Sequence, residues 1–171
     1  ARFWITHNII DFVNDNGITI VSTQEATTTE EVFVTDNIIR NMVLTGIYFG
    51  SDGQALTTNM TTRKIVVARN IISGDWGGSC IQFTGSTTSQ DIQINDNMCI
   101  LEGMTRTPQV GISITRQDIS VTAAENVTVA RNTLVRRNAA TYAVADMNIS
   151  SAGAGFTDLH ILDNMMPDAT I

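Results

Sequence analysis

Two acidic residues, Asp75 and Glu102, hold equivalent positions in neighbouring repeats of the sequence, each five residues after a recurring asparagine. If the repeats stack as parallel strands do, the two carboxyl groups lie roughly 5 Å apart. A separation of ~5–5.5 Å is that of retaining glycosidases, in which one carboxyl group is the acid and the other the nucleophile. Two carboxyl groups this close do not ionise equally, so that one pair supplies both an acid and a base. We therefore predict Asp75 and Glu102 as a catalytic pair, with Glu102 as the acid.

Three further residues near this pair could bind a sugar. Arg137 occupies the same position one repeat later, where its guanidinium group could hold a carboxylate or hydroxyl of a substrate. Trp76 lies among three glycines and could stack on a sugar face. Arg106 belongs to an insertion at 102–109, EGMTRTPQ, that would wall the site. We predict these three residues as substrate-binding.

The same positions allow other interpretations. Turn residues of a repeat protein are commonly only solvated, and a calcium ion is a variant occupant because calcium prefers carboxylate ligands. Asp52 and Asp118 are weaker candidates for the acid pair. The sequence contains no glycine-rich phosphate loop, no Ser-His-Asp arrangement and no C-x-x-C motif. We therefore predict no cofactor and no metal site.

The elements that would position these residues come from a phrase that recurs six times. It consists of an apolar pair at period two, two further residues, an asparagine and, in most copies, a second apolar pair. The copies are FWITHNII at 3–10, VFVTDNII at 32–39, IVVARNII at 65–72, IQINDNMC at 92–99, VTVARNTL at 127–134 and LHILDNMM at 159–166. The repeat of about 30 residues predicts a stack of similar structural units.

A second phrase follows each of the first five copies and also alternates apolar with polar residues. It reads GITI at 17–20, GIYF at 46–49, CIQF at 80–83, GISI at 111–114 and, more weakly, YAV at 142–144. Alternation at period two is typical of strands. Strand, short turn, strand and variable loop describe one coil of a β-solenoid, in which stacked coils bury a continuous core.

A leucine-rich repeat is the main competing architecture. It requires an apolar residue eight positions before the asparagine. Those positions hold Thr29, Thr62, Ser89, Ala124 and Phe156, of which four are polar or small. The second strand and the uneven repeat length also fit that architecture poorly.

The two phrases resemble those of the pectin-lyase-like family of right-handed parallel β-helices, and the resemblance covers the whole chain. It implies an all-β, single-stranded parallel β-helix, and the six copies predict about five to six coils. Because the chain begins and stops beside a predicted strand, we expect residues 1–171 to form one domain that is a segment of a longer solenoid or is capped by partners. The family includes polysaccharide lyases, polygalacturonases and trimeric phage tailspikes. The Gly-His-Gly and Arg-Ile-Lys motifs of polygalacturonases are absent, so no family active site is carried over.

Aligning the copies on their asparagines gives columns of residues that should stack. The positions five and three before the asparagine are apolar in all six copies, which predicts two inward columns. The asparagines, Asn8, Asn37, Asn70, Asn97, Asn132 and Asn164, predict a ladder of amide hydrogen bonds at a turn. The residues just before them, His7, Asp36, Arg69, Asp96, Arg131 and Asp163, alternate in charge from the second copy onward. We interpret this column as a ladder of opposite charges that keeps the coils in register.

The outward position four before the asparagine begins with Trp4 and Phe33 and becomes polar in later copies. An exposed aromatic stripe indicates a sugar, another subunit or an upstream segment as its partner. Among these we expect a homotrimer in which a neighbour or an upstream segment covers Trp4 and Phe33.

Cys80 and Cys99 fall on different parts of adjacent coils. Two cysteines are too few to indicate a disulfide framework. We therefore expect two free thiols that behave as small apolar side chains, with the redox compartment left open.

Composition narrows the classes of partner. The formal net charge is −7, which disfavours nucleic acid because its phosphates are also negative. No apolar run is long enough for membrane insertion. We expect a carbohydrate-active β-helix of a virion tail or a secreted enzyme, a glycoside hydrolase or polysaccharide lyase that binds an extracellular polysaccharide. The alternative is a non-catalytic structural or adhesive shaft.

Overall fold

The chain folds as an all-β parallel solenoid. The computed structural model describes residues 2–22, 28–51, 61–85, 88–102, 109–116, 124–136, 144–151 and 155–165. Within these ranges sixteen strands follow one another: β1 (Phe3–Thr6), β2 (Ile9–Asp11), β3 (Ile18–Ser22), β4 (Thr28–Thr35), β5 (Ile38–Arg40), β6 (Ile47–Ser51), β7 (Thr61–Ala68), β8 (Ile71–Gly74), β9 (Ser79–Gly85), β10 (Thr88–Asn95), β11 (Met98–Leu101), β12 (Gln109–Arg116), β13 (Ala124–Ala130), β14 (Thr133–Arg136), β15 (Val144–Ser151) and β16 (Phe156–Leu162). None of the described residues forms a helix that is long and apolar enough to cross a membrane.

The strands are distributed in turn among three parallel sheets. Sheet A has the order β1-β4-β7-β10-β13-β16, sheet B has β14-β11-β8-β5-β2, and sheet C has β15-β12-β9-β6-β3. One coil is therefore a strand of sheet A followed by one of sheet B and one of sheet C. Among the described residues the sixth repeat adds a strand to sheet A only, so the complete turns described are fewer than the six repeats of the sequence.

The strand register confirms the predicted inward columns. Phe3 pairs with Val32, Val32 with Ile65, and the column continues through Ile92 and Val127. In the middle coils these side chains are fully buried, whereas Phe3 in the first coil is 54% exposed. Because each coil covers the apolar face of its neighbour, the core runs along the axis of the solenoid.

The second phrase of the fifth coil lies later in the chain than the sequence pattern suggested. Ile112 pairs with Met147 and Ile114 with Ile149, so the strand equivalent to ISI in β12 is MNI at 147–149. The prediction that YAV at 142–144 supplies the inward residues of this strand is therefore wrong. β15 begins twelve residues after Asn132, whereas β9 begins nine residues after Asn70, and a shift of this kind is visible only in the strand pairing.

Sheets A and B meet at a tight corner that the asparagine ladder stabilises, as predicted. Each side-chain amide nitrogen donates to the Oδ1 atom of the next asparagine at 2.9 Å along the whole column. The same Oδ1 atom accepts the backbone N–H of the preceding asparagine at 2.9–3.0 Å. The second amide hydrogen of Asn97 reaches the carbonyl oxygen of Val67 at 2.9 Å. The buried amides are thereby satisfied within the ladder.

The residue before each ladder asparagine has a left-handed backbone conformation. The φ angles are 57° for His7, 60° for Asp36, 55° for Arg69, 58° for Asp96, 52° for Arg131 and 51° for Asp163. This conformation turns the chain through the corner in two residues and points the charged side chains outward. It is uncommon for residues other than glycine, asparagine and aspartate, so the arginines adopt it because the stacked coils hold the backbone there.

A second left-handed column, which the sequence analysis missed, bends the strands of sheet A. Its members are Glu31, Lys64, Asp91, Asn126 and Asp158, with φ between 53° and 57°. The strand register skips these residues, since Glu30 pairs with Arg63 and Val32 with Ile65. Because each of these strands has one such residue at the same level, the register is kept and the bend is repeated from coil to coil. The polar residue types at this position were the available signal.

The charge column forms ion pairs between particular coils. Arg69 binds Asp36 through two hydrogen bonds of 2.8 Å, and Arg131 binds Asp96 through bonds of 2.7 and 2.8 Å. Hydrogen bonds from Arg69 and then Thr35 lower the pKa of Asp36 from 3.8 to about 2. The predicted alternation of charge thus resolves into arginine-to-aspartate pairs directed toward the preceding coil.

We expect the Asp36 ion pair to make stability depend on acid pH. The folded-state pKa of Asp36 lies below its ordinary value, so its contribution is present above about pH 4 and is lost as the pH falls toward 2. Urea titrations between these pH values should show a smaller loss of stability for Asp36→Asn than for the unmodified chain. Asp15→Asn, which removes a carboxylate from an exposed turn, is the control. An identical pH dependence in the unmodified chain and Asp36→Asn would contradict this role.

Cys80 and Cys99 form a disulfide bond, so the expectation of two free thiols is wrong. The bond joins β9 to β11 with a Cα–Cα distance of 6.0 Å, and both residues are buried. The sequence alignment placed them on different sheets, but sheets B and C face each other across the interior. Side chains from both sheets therefore meet there.

In the preceding coils, the two positions equivalent to the cysteines hold a glycine and, one coil later, an isoleucine that packs against it. A Cβ atom on Gly46 would lie 2.5 Å from Cγ2 of Ile72, and one on Gly17 would lie 2.5 Å from Cγ2 of Ile39. Glycine is therefore needed where the isoleucine of the next coil projects inward. Cys80 replaces the glycine and Cys99 replaces the isoleucine. The replacement of both the glycine and the isoleucine in the same pair of adjacent coils was the feature of the sequence that could have predicted the disulfide.

Candidate functional site

Asp75 and Glu102 lie at the corner between sheets B and C. Leu101 pairs with Gly74 at the ends of β11 and β8, and the N–H of Glu102 donates to the carbonyl oxygen of Gly74 at 3.0 Å. The parallel stacking thus continues beyond the strands and brings the backbones of Asp75 and Glu102 to equivalent levels of adjacent coils. Neighbouring parallel strands are ~4.8 Å apart, which is the spacing that the sequence analysis assumed.

The turn that carries Asp75 is built by backbone geometry. Gly74 has a φ of +143°, and a Cβ atom there would lie 3.2 Å from the amide nitrogen of Asn41. Gly77 and Gly78 donate hydrogen bonds of 2.9 Å to the carbonyl oxygens of Val43 and Leu44 in the turn below. The turn is therefore held by its neighbour rather than exposed as a free loop.

The column that contains the acid pair changes character along the solenoid. Its member in the second coil, Met42, is 2% exposed and belongs to the core. Asp75 in the next coil is partly buried, and Glu102 is exposed. The same position thus holds an apolar residue in the second coil and carboxyl groups in the next two.

Trp76 does not face the solvent. Its side chain is 0% exposed, and its Nε1 atom donates to the carbonyl oxygen of Val110 at 3.1 Å. This placement corrects the stacking role that we expected for Trp76, because a fully buried ring offers no face to a sugar. The side chain instead braces the Asp75 turn against the start of β12 in the next coil.

The other predicted candidates lie outside the described residues. These are Arg137 and Arg106 among the substrate-binding residues and Asp52 and Asp118 among the weaker acidic candidates. Their predicted roles stay predictions.

The outer face of sheet C lies directly beyond the acidic corner and was not singled out from the sequence. One column on it pairs Thr19 with Tyr48 and Tyr48 with Gln82, and continues through Ser113, which is buried, to the exposed Asn148. All of these side chains are uncharged and can donate and accept hydrogen bonds. The signal in the sequence was the variable third residue of the second phrase. Such a surface is suited to hydroxyl groups rather than to charged ligands.

The aromatic stripe predicted on sheet A is present. Trp4 pairs with Phe33, and their rings stack with centroids 5.9 Å apart and an interplanar angle of 10°. Trp4 is 62% exposed.

Comparisons with known proteins give a plain result. No family model, curated protein or solved structure matches the chain. The parallel β-solenoid is shown by the strand pairing, and the pectin-lyase-like resemblance adds the hypotheses developed below.

Proposed function

We propose that the chain is a carbohydrate-active parallel β-helix of the pectin-lyase-like type that binds an extracellular polysaccharide and cleaves it beside Asp75 and Glu102. The observation that carries the proposal is the stacking of these two acidic positions in adjacent coils through the Glu102 N–H to Gly74 carbonyl bond. The uncharged, hydrogen-bonding column of sheet C supports it because it offers a polysaccharide partners next to the acid pair.

In this proposal the two carboxyl groups have the roles they hold in a retaining glycosidase. Glu102 donates its proton to the glycosidic oxygen as the bond from that oxygen to the anomeric carbon breaks. The Asp75 carboxylate attacks the anomeric carbon and forms a glycosyl ester. Glu102 then takes a proton from a water molecule, whose oxygen bonds to the anomeric carbon as the ester bond to Asp75 breaks. This step releases the sugar and restores the Asp75 carboxylate and the protonated Glu102. Arg137, one repeat further, would hold the substrate.

An extracellular location, in a virion tail or as a secreted protein, agrees with the buried disulfide. Disulfides persist in oxidising environments such as cell surfaces and secreted fluids, and they are rare in the cytosol. The exposed Trp4 ring, stacked on the partly buried Phe33 ring, supports the proposal that a neighbouring subunit covers sheet A in a homotrimer.

We expect Asp75→Asn and Glu102→Gln each to lower the rate of polysaccharide cleavage by a factor of ~100 or more, which is typical for a positioned acid or base. Both variants should remain folded, because each replaces a carboxyl group by an amide of the same size, at a partly buried residue (Asp75) and at an exposed one (Glu102). The measurement is the viscosity and reducing-end content of a panel of capsular and cell-wall polysaccharides. Asp15→Asn, in the equivalent exposed turn of the first coil, should cleave at the unmodified rate. Cleavage that survives both substitutions would move the site elsewhere.

A second candidate function is a non-catalytic adhesive or structural shaft. It is favoured by the asparagine ladder, which links every coil from Asn8 to Asn164 and serves length and rigidity rather than catalysis. The shaft predicts retention on a polysaccharide column without loss of viscosity, and retention that Asp75→Asn does not change.

A further inference from the structure

The outer face of sheet B carries an exposed apolar column. The residues one position after each ladder asparagine stack in register, and we call them the sheet B stripe: Ile9, Ile38, Ile71, Met98, Thr133 and Met165. The exposed fractions are 69% for Ile9, 42% for Ile71, 40% for Met98 and 62% for Met165. A contiguous exposed apolar surface is uncommon unless something binds to it.

The patch is broader than one column toward the later coils. Ile100 and Val135 pair with each other on the same face, two residues after Met98 and Thr133. In the first two coils the same column instead holds an ion pair between Arg40 and Asp11 at 3.0 Å. The apolar surface is therefore widest around the fourth and fifth coils and continues as a single stripe toward the first.

A row of alternating charges flanks this stripe at the corner with sheet A. Asp36, Arg69, Asp96 and Arg131 occupy successive coils, two residues before the stripe positions. The Arg69 and Arg131 side chains remain 58% and 56% exposed although each binds an aspartate of its own chain. Their guanidinium groups can therefore donate hydrogen bonds to a second negatively charged partner, because each guanidinium has five N–H donors.

We propose that the sheet B stripe binds a second copy of this chain, antiparallel to the first, about a two-fold axis that passes between the third and fourth coils. This arrangement places Ile71 against the partner's Met98 and Ile38 against the partner's Thr133. The stripe then meets itself, as an isologous interface requires. Burial of the exposed isoleucine and methionine side chains drives the association.

The charges select the antiparallel orientation. Because the signs alternate, reversing one copy about the midpoint places Arg69 opposite the partner's Asp96, and Asp36 opposite the partner's Arg131. If the two copies were parallel and related by a two-fold axis, the charged row would lie against the opposite side of the partner's sheet B, and these charge pairs would not form. Pairs of this kind contribute more to orientation than to affinity. An anionic membrane is a poorer occupant, since the chain has a net charge of −7.

Sedimentation velocity over a wide range of protein concentration tests the association. In a Trp4→Glu background, which removes the proposed homotrimer contact on sheet A, the chain should sediment as a dimer at high concentration. Adding Ile71→Glu or Met98→Glu to that background should give folded monomers. Thr19→Glu, at an exposed position on sheet C, should still form the dimer. A monomer at every concentration overturns the proposal. In the same background, an oligomer that survives both stripe substitutions places the contact on another surface and also overturns it.

Cysteine cross-linking tests the orientation. A mixture of Ile38→Cys and Thr133→Cys proteins should form an intermolecular disulfide, because the antiparallel arrangement places these positions together. Ile38→Cys alone should not cross-link, since its two copies would be three coils, or about 14 Å, apart along the axis. Efficient self-linking of Ile38→Cys would show parallel copies and would overturn the antiparallel arrangement.

Discussion

Asn97→Ala should lower the free energy of unfolding by about 3–5 kcal/mol, because it leaves several buried hydrogen-bonding groups without a partner at ~1–3 kcal/mol each. Oδ1 of Asn97 accepts the backbone N–H of Asn70 at 3.0 Å and its side-chain amide at 2.9 Å. The amide nitrogen of Asn97 donates to the carbonyl oxygen of Val67 and to Oδ1 of Asn132, both at 2.9 Å. The residue is 1% exposed, so water cannot replace these bonds without opening the corner.

Urea denaturation of the purified chain measures this effect. Asn148→Ala is the matched control, since Asn148 is exposed on sheet C and its substitution should change stability by no more than about 0.5 kcal/mol. Equal midpoints for the two variants would mean that the ladder contributes nothing net to stability. A larger loss for Asn97→Ala than for Asn8→Ala is also expected, because Asn8 is exposed at one end of the ladder.

The second large effect concerns the disulfide. Reducing the bond, or replacing either cysteine by serine, should lower stability by about 3 kcal/mol, since the bond closes a loop with a sequence separation of 19 residues. Cys99→Ile alone should also be unfavourable, because the larger side chain would crowd Cys80. In the preceding coil the residue equivalent to Cys80 is Gly46, and a Cβ atom added there would clash with Ile72.

The double variant Cys80→Gly/Cys99→Ile should be more stable than Cys99→Ile alone, because it restores the glycine and isoleucine pair of the other coils. Thermal denaturation with and without reductant measures both effects. The unmodified chain should lose stability in reductant, and the double variant should not. An unmodified chain whose bond is opened, as shown by its mass, without any change in melting would contradict the stabilising role.

The repeat pattern carries information about contacts along the solenoid axis. Stacking moves the chain by one coil, so residues at equivalent positions of the repeat become neighbours. The inward columns, the asparagine ladder and the pairing of Arg69 with Asp36 all follow from this translation. The equivalent levels of Asp75 and Glu102 were predictable for the same reason, since the turn continues the strand register.

Contacts across a coil are different, because they depend on how sharply each corner turns. The repeat places Trp76 in a turn, but only the bend after Gly74 directs its ring into the core. The repeat places Cys80 and Cys99 on different sheets, but sheets B and C face each other, so the two side chains meet and form a disulfide bond. The sequence by itself therefore determined which residues stack along the axis, because that order is a simple translation. The tertiary structure alone decided which side chains meet across the interior, because that requires the angles at the corners.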